Sequence, residues 1–362
     1  MATTYTPAEA FSPGEILRDE LEERGWTETE FAQIIDRPLQ AVSEILNAKK
    51  AVTADTAMAI GAALDTSAEL WLNLQANYSL AQAREGAPDL TPVERRSRLR
   101  SVGPVAEMRR RQWISDTDDL DVLEADMKSL YGDDLNPGLA FAARRVNATE
   151  ALSAQQLAWL MFVRHVADRR CAQVAVLDIE KLRALGASLC RRLLPGPNEL
   201  GQLRDWLAEC GVVLVVEPGL KGGKFDGVAM LSTNGTPVIG VTGRYNRFDI
   251  LVFTILHEIA HLVLGHVTTE NPYMIDDLDN AGTDSNEVQA NELAGEWIFP
   301  GGFVAPAPAT SANISRYART VDVPVSMVIG RLMRDGKLRP TQFRNHLRKV
   351  RPYIDAETKW PK

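Results

Sequence analysis

One segment limits what this chain can fold into more than any other: Asp249-Ile-Leu-Val-Phe-Thr-Ile-Leu-His257-Glu258-Ile-Ala-His261-Leu-Val-Leu-Gly265. Its apolar run is too long for a strand and ends at a glycine that suits a helix stop, so it reads as a capped amphipathic helix. On a helix, residues four apart differ by about 40° in azimuth and about 6 Å in height, so both imidazoles lie on one face. Two imidazoles on one face can share a single Zn²⁺, and Glu258 is placed to act as general base toward water activated by the metal. Around them Ile255, Leu256, Ile259, Ala260, Val263 and Leu264 form an apolar surface that must be buried. The chain has only five histidines, which makes this spacing a poor candidate for coincidence.

A catalytic zinc requires a third protein ligand and an open position. The residues after His261 are Leu-Val-Leu-Gly-His266, so no third histidine follows at the spacing of an extended motif. Glu287 sits on the next helix expected from the pattern, roughly 285–298. It reads either as that third ligand or as the partner of Asp284 in a capping box. Asn291, one turn later, is positioned to orient His257 by an outer hydrogen bond. Tyr273 and His266 are the nearest residues able to donate to a developing oxyanion.

Residues 12–78 read as five short helices. Ser12-Pro13-Gly14-Glu15 and Thr27 with Glu30 have capping-box spacing, and Gly25 suits a helix end. Pro38 opens a third helix through Leu46, followed by helices over Ala54–Leu64 and Ser67–Tyr78. Residues 86–115 read as a linker or a charged helical arm, and 116–209 as helical. From Gly211 the period changes to that of strands, with a hairpin turning at Asn234-Gly235. Residues 271–284 read as a polar loop. The expected organisation is a helical domain over 1–85, a basic linker and helical connecting region over 86–200, a metal-bearing domain over 201–350 and a tail over 351–362. The fold class is mainly α with a small β-sheet (α+β).

Charge is unevenly spread. The net charge of the chain is −8, and residues 1–85 carry six Lys and Arg against 14 Asp and Glu. The basic residues concentrate in 91–111, with seven arginines against two glutamates, and in 331–351, with eight basic residues against one acid. Three cysteines without a C-x-x-C pair, no basic-then-apolar leader and no long apolar run lead to the expectation of a soluble cytoplasmic protein with no membrane partner.

Two resemblances sharpen these readings. The run from Gly211 to Pro300, with RFDILVFTILHEIAHLVLGH and EVQANELAGEWIFP, resembles the ImmA/IrrE family of metallopeptidases. It implies a zincin-like domain with one Zn²⁺ per chain, His257, His261 and Glu287 as ligands, and Glu258 as the base. It also implies a protein substrate, such as a helix-turn-helix repressor or a toxin–antitoxin partner. Gln289 and Leu293-Ala294 depart from the family pattern without touching that chemistry. The stretch from Ser12 to Tyr78 resembles HigA-type antitoxins and the wider phage-repressor helix-turn-helix family. That resemblance implies Leu39, Gln40 and Ser43 near base edges, and Arg37, Asn47, Lys49 and Lys50 near the DNA backbone. Glu28, Asp36 and Glu44 depart from the DNA-binding pattern, and the module's charge of −8 repels phosphate. A homodimer, or the basic stretch 91–111, would offset this; docking of a protein is the other reading of the module. For the whole chain the expectation is a transcriptional regulator carrying a zinc endopeptidase. The alternative is a non-enzymatic repressor or antitoxin that uses the peptidase fold as a scaffold.

Overall fold

The computed structural model describes residues 11–85, 91–133, 135, 152–276 and 285–359. The chain forms two compact units, Met1–Pro92 and Val93–Lys362. It is mainly helical with one mixed four-stranded sheet, the α+β class expected. Among the described residues no helix is long and apolar enough to cross a membrane.

The first unit is a bundle of helices α1 (Pro13–Arg24), α2 (Glu28–Ile34), α3 (Leu39–Leu46), α4 (Ala54–Leu64) and α5 (Ala68–Glu85). Both capping boxes form. Glu15 Oε2 accepts from the Ser12 N–H at 2.6 Å, and Ser12 Oγ accepts from the Glu15 N–H at 3.2 Å. Thr27 and Glu30 repeat the pattern at 2.8 and 3.2 Å. Gly25 closes α1 in the left-handed conformation, at φ 66°. Helix α5 runs past Tyr78, where the sequence reading ended it, because no glycine or proline interrupts it before Gly86. Leu17, Phe31, Val42, Ile45, Ile60 and Trp71 fill the core. Gly14 is dictated by packing: a Cβ there would lie 2.3 Å from the Ile45 carbonyl oxygen.

In the second unit, α6 (Thr91–Val102), α7 (Val105–Arg110), α8 (Leu120–Tyr131), α9 (Ala154–Arg170), α10 (Ile179–Arg192) and α11 (Leu203–Ala208) precede the sheet. Arginines of the basic stretch are tied into this fold. Arg95 pairs with Glu124 at 2.8 Å, and Arg111 with the buried Glu217 at 3.0 Å. Strands β1 (Val213–Val216), β2 (Gly227–Leu231), β3 (Pro237–Val241) and β4 (Tyr273–Asp276) assemble in the order β1-β3-β2-β4. The β1–β3 pairing is parallel, and β2–β3 and β2–β4 are antiparallel. The hairpin turns where Asn234-Gly235 predicts, but its loop is Thr233–Gly235 rather than two residues, since Ser232 N–H still bonds Thr236 O at 2.9 Å. Strand β4 arises inside the stretch read as a polar loop; it adds to the free edge of β2. The rest of that stretch, 277–284, which includes Asp284, lies outside the described residues.

Alternation along the strands explains the layering. Leu214, Val216, Ala229, Ile239 and Val241 face one core with α12 (Phe248–Val263). Val213, Val215, Val228, Met230 and Val238 face a second core with Trp159, Met161 and Val163 of α9. Behind α12 come α13 (Ser285–Ile298), α14 (Ser311–Thr320) and α15 (Val325–Arg334). The reading of α12 as a capped amphipathic helix needs correction. No side chain caps it, Asp249 lies within its first turn, and every residue except Ile250 and Phe253 is buried. It is enclosed because α10, α13, α15 and the sheet pack around it.

Candidate metal centre

Helix α12 is a buried helix that carries three polar side chains through an apolar core: His257, Glu258 and His261 are all fully buried. A buried group of this kind needs compensating partners. His257 and His261, one turn apart, turn their Nε2 atoms toward each other at 2.9 Å. Helix α13 packs against α12 and brings in Glu287, whose Oε2 lies 3.1 Å from His257 Nε2 and whose Oε1 lies 3.4 Å from His261 Nε2. The ligand atoms of these three residues fall within 4.8 Å of one another.

This donor set fits a zinc ion. Bonds of about 2.0–2.1 Å at tetrahedral angles separate neighbouring ligand atoms by about 3.3 Å, close to the observed spacings. The electrostatics agree. Burial holds the His261 imidazole below its ordinary pKa and so favours the neutral, lone-pair form that binds metal. Burial alone would raise Glu287, yet its bonds to His257 and His261 bring the carboxyl down to about 2. It is therefore anionic across the physiological range.

The surrounding residues divide between those that converge on the centre and those that do not. His266, just past the helix end, places its Nδ1 3.0 Å from Nδ1 of His261, the ring nitrogen opposite the one facing Glu287. The contact lies on the side of the His261 ring away from Glu287. Tyr273 is a correction to the sequence reading. It packs into the core on the α9 side of the sheet with Val228 and Met230, so the sheet separates its ring from the metal face. Asn291 lies one turn beyond Glu287 on α13, and its Oδ1 is buried without a hydrogen-bond partner among the described residues. One residue was missed by sequence reasoning. Gly227, at the start of β2, lies directly beneath Glu258, and a glycine within a strand pattern is the available signal for such an approach.

In the first unit, Leu39, Gln40, Ser43 and Asn47 share the outer face of α3, with Arg37 before it and Lys49 and Lys50 after it. Leu39, Gln40, Asn47, Arg37 and both lysines are exposed. Two of these side chains are engaged locally: Gln40 donates to Glu44 Oε1 at 3.0 Å, and Asn47 to the Ser43 carbonyl at 2.8 Å. Asp36 adopts the left-handed turn conformation, at φ 51°, in place of a glycine.

Comparison with known proteins agrees with this division. A family model described as Helix-turn-helix matches residues 17–71, and one described as IrrE N-terminal-like domain matches residues 219–333. An uncharacterized HTH-type transcriptional regulator of Escherichia coli (strain K12) is 33% identical over 73 residues, 20% of this chain and 78% of that protein. Virulence-associated protein A' of Dichelobacter nodosus is 37% identical over 82 residues, 22% of this chain and 71% of that protein. Among solved structures, Pseudomonas aeruginosa antitoxin HigA with the higBA promoter is 38% identical over 22% of this chain and 86% of its own, with a TM-score of 0.21. A HigA-family addiction module antidote protein from Coxiella burnetii is 34% identical over 22% and 87%, with a TM-score of 0.21. The chain belongs to the helix-turn-helix family of transcriptional regulators through its N-terminal module and carries an IrrE-like peptidase domain in its second unit.

Proposed function

We propose that this protein is a transcriptional regulator whose second unit is a zinc metallo-endopeptidase, acting on a regulatory protein such as a helix-turn-helix repressor or a toxin–antitoxin partner. The observation that carries the reading is the convergence of His257, His261 and Glu287 on one point, with Glu258 buried beside it. A zinc ion held by those three residues would supply Lewis acidity toward a peptide carbonyl and toward water. Glu258 takes the water proton as general base and passes it to the leaving amine. His266 holds His261 in one ring orientation. The apolar enclosure of α12 keeps these groups in a low dielectric, where each charge acts strongly.

For the first unit the reading is recognition of DNA through the outer face of α3. The relative solved with a promoter motivates it. A mobility shift with duplex from the protein's own promoter tests it: a shift that weakens as salt rises supports DNA binding, and no shift at low salt refutes it. For the peptidase, wild type and Glu258→Gln are each induced in the native host and protein fragments compared by mass spectrometry. Zinc at one per chain in both, with a fragment pair only in wild type, is the expected result. Identical fragment patterns with zinc bound in both would overturn the endopeptidase in favour of a scaffold.

A further inference from the structure

A cavity of about 370 Å³ opens between α12, α13 and α15, beyond the metal ligands. Its walls combine the apolar side chains of Ile250, Phe253, Ile298, Phe299, Met327 and Met333 with the Arg247–Asp249 ion pair. Phe253, one turn before His257, joins the cavity to the metal centre, with its ring centroid 6.1 Å from that of His257. Phe253 and Ile250 are also the only residues of α12 that escape full burial. Both of these residues line the cavity.

Gly295 gives the cavity its depth. It lies in the interior of α13, where glycine weakens a helix, and neither of the usual structural reasons for glycine applies. Its φ is ordinary, and a Cβ built there would meet nothing within 4 Å. Gly330 on the opposite wall differs, because a Cβ there would lie 2.3 Å from Asp249 Oδ2. What the missing side chain at Gly295 does is leave space.

The rim is cationic. Arg334 lies over the outer face of the Phe253 ring at 5.0 Å, exposed and without a carboxylate partner among the described residues. Arg331 beside it is tied to Asp335 at 3.0 Å, and Arg247 is bound by Asp249. Among the described residues that line the cavity, Arg334 is thus the arginine available to meet an incoming anion.

We infer that this cavity is a specificity pocket for the polypeptide substrate, taking a large apolar side chain whose neighbour in the substrate is an acidic residue paired with Arg334. The inference rests on the peptidase reading. Gly295 is eight residues beyond Glu287 on one helix, about 12 Å along the axis. An extended peptide covers that distance in about four residues. The pocket therefore selects a residue within about four positions of the cleaved bond.

The test separates binding from cleavage. The full chain carrying Glu258→Gln, loaded with zinc, is titrated calorimetrically with acetyl-Ala-Ala-Phe-Glu-Ala-Ala-amide and with versions in which Phe becomes Ala or Glu becomes Lys. The expected result is tightest binding for the Phe-Glu peptide, with each altered peptide at least tenfold weaker. Gly295→Leu in the same background should bind the Phe-Glu peptide at least tenfold more weakly while keeping its zinc and melting temperature. Arg334→Glu, a surface change that leaves the core intact, should reverse the preference between Glu and Lys. Equal binding of all three peptides, no binding of any, or unchanged binding by both variants would overturn the pocket. A Phe-Glu peptide that binds here but is left intact by the unsubstituted zinc-loaded chain would instead refute the peptidase reading and leave the pocket standing.

Discussion

Gly227 and Glu258 are in contact through the absence of a side chain: a Cβ on Gly227 would lie 2.3 Å from Glu258 Oε1 and 2.6 Å from Thr254 Cγ2. Strand β2 therefore runs close enough to α12 to hold the carboxylate in one place. Gly227→Ala should push Glu258 or the strand aside, at about 1–3 kcal/mol by analogy with overpacked cores. The expected outcome is zinc retained at one per chain with fragment production in the host reduced at least tenfold. A variant that cleaves as well as wild type would show that the close approach has no bearing on the base.

Glu287 tests the ligand set. Its replacement by Ala removes one of three protein donors. Zinc affinity, measured by competition with a chelator, should fall by more than the roughly 10–100-fold that outer hydrogen-bond partners cost. His266→Ala removes only the group that orients His261 and should fall within that smaller range. Equal losses for the two would mean that Glu287 is not a ligand.

The capping boxes set a pH dependence in the first unit. Glu15 and Glu30 are held below the ordinary carboxylate pKa, chiefly by backbone N–H groups of Ser12 and Thr27. A carboxyl lowered on folding contributes stability that is present above its unfolded pKa of about 4.3 and lost as pH falls through the folded value. Glu30→Gln keeps a hydrogen-bond acceptor but removes the charge. Its melting temperature should lie below that of wild type at pH 7, and the gap should close on acidification to about pH 3. A gap independent of pH would place the effect elsewhere.

The three thiols should differ in reactivity. Cys190 is buried, and burial pushes its thiol up to about 12, while Cys210 is also buried and raised. Cys171 is half-buried at the end of α9. The thiolate is the reactive form, so a disulfide reagent at pH 8 should modify Cys171 first and the other two only on unfolding. Fast modification of all three in the native protein would contradict the packing around α10.

Much of this arrangement is legible in the sequence because it is local. The Ser12 and Thr27 caps, the end of α1 at Gly25 and the limits of α13 depend on residues three or four apart, and so does the pairing of His257 with His261. A helical repeat fixes such spacings wherever the helix ends up. Distances across the chain are a different matter. That Glu287 faces His257 follows from the packing of α13 on α12, and that Tyr273 does not reach the site follows from which face of β4 it occupies. A shift of one residue in that strand would turn Tyr273 to the other core. Strand β4 was hidden because four residues at a sheet edge carry little pattern of their own and form by pairing with β2. The seat of Glu258 on Gly227 and the opening left by Gly295 are equally tertiary. A missing side chain acquires meaning only from what the fold brings beside it.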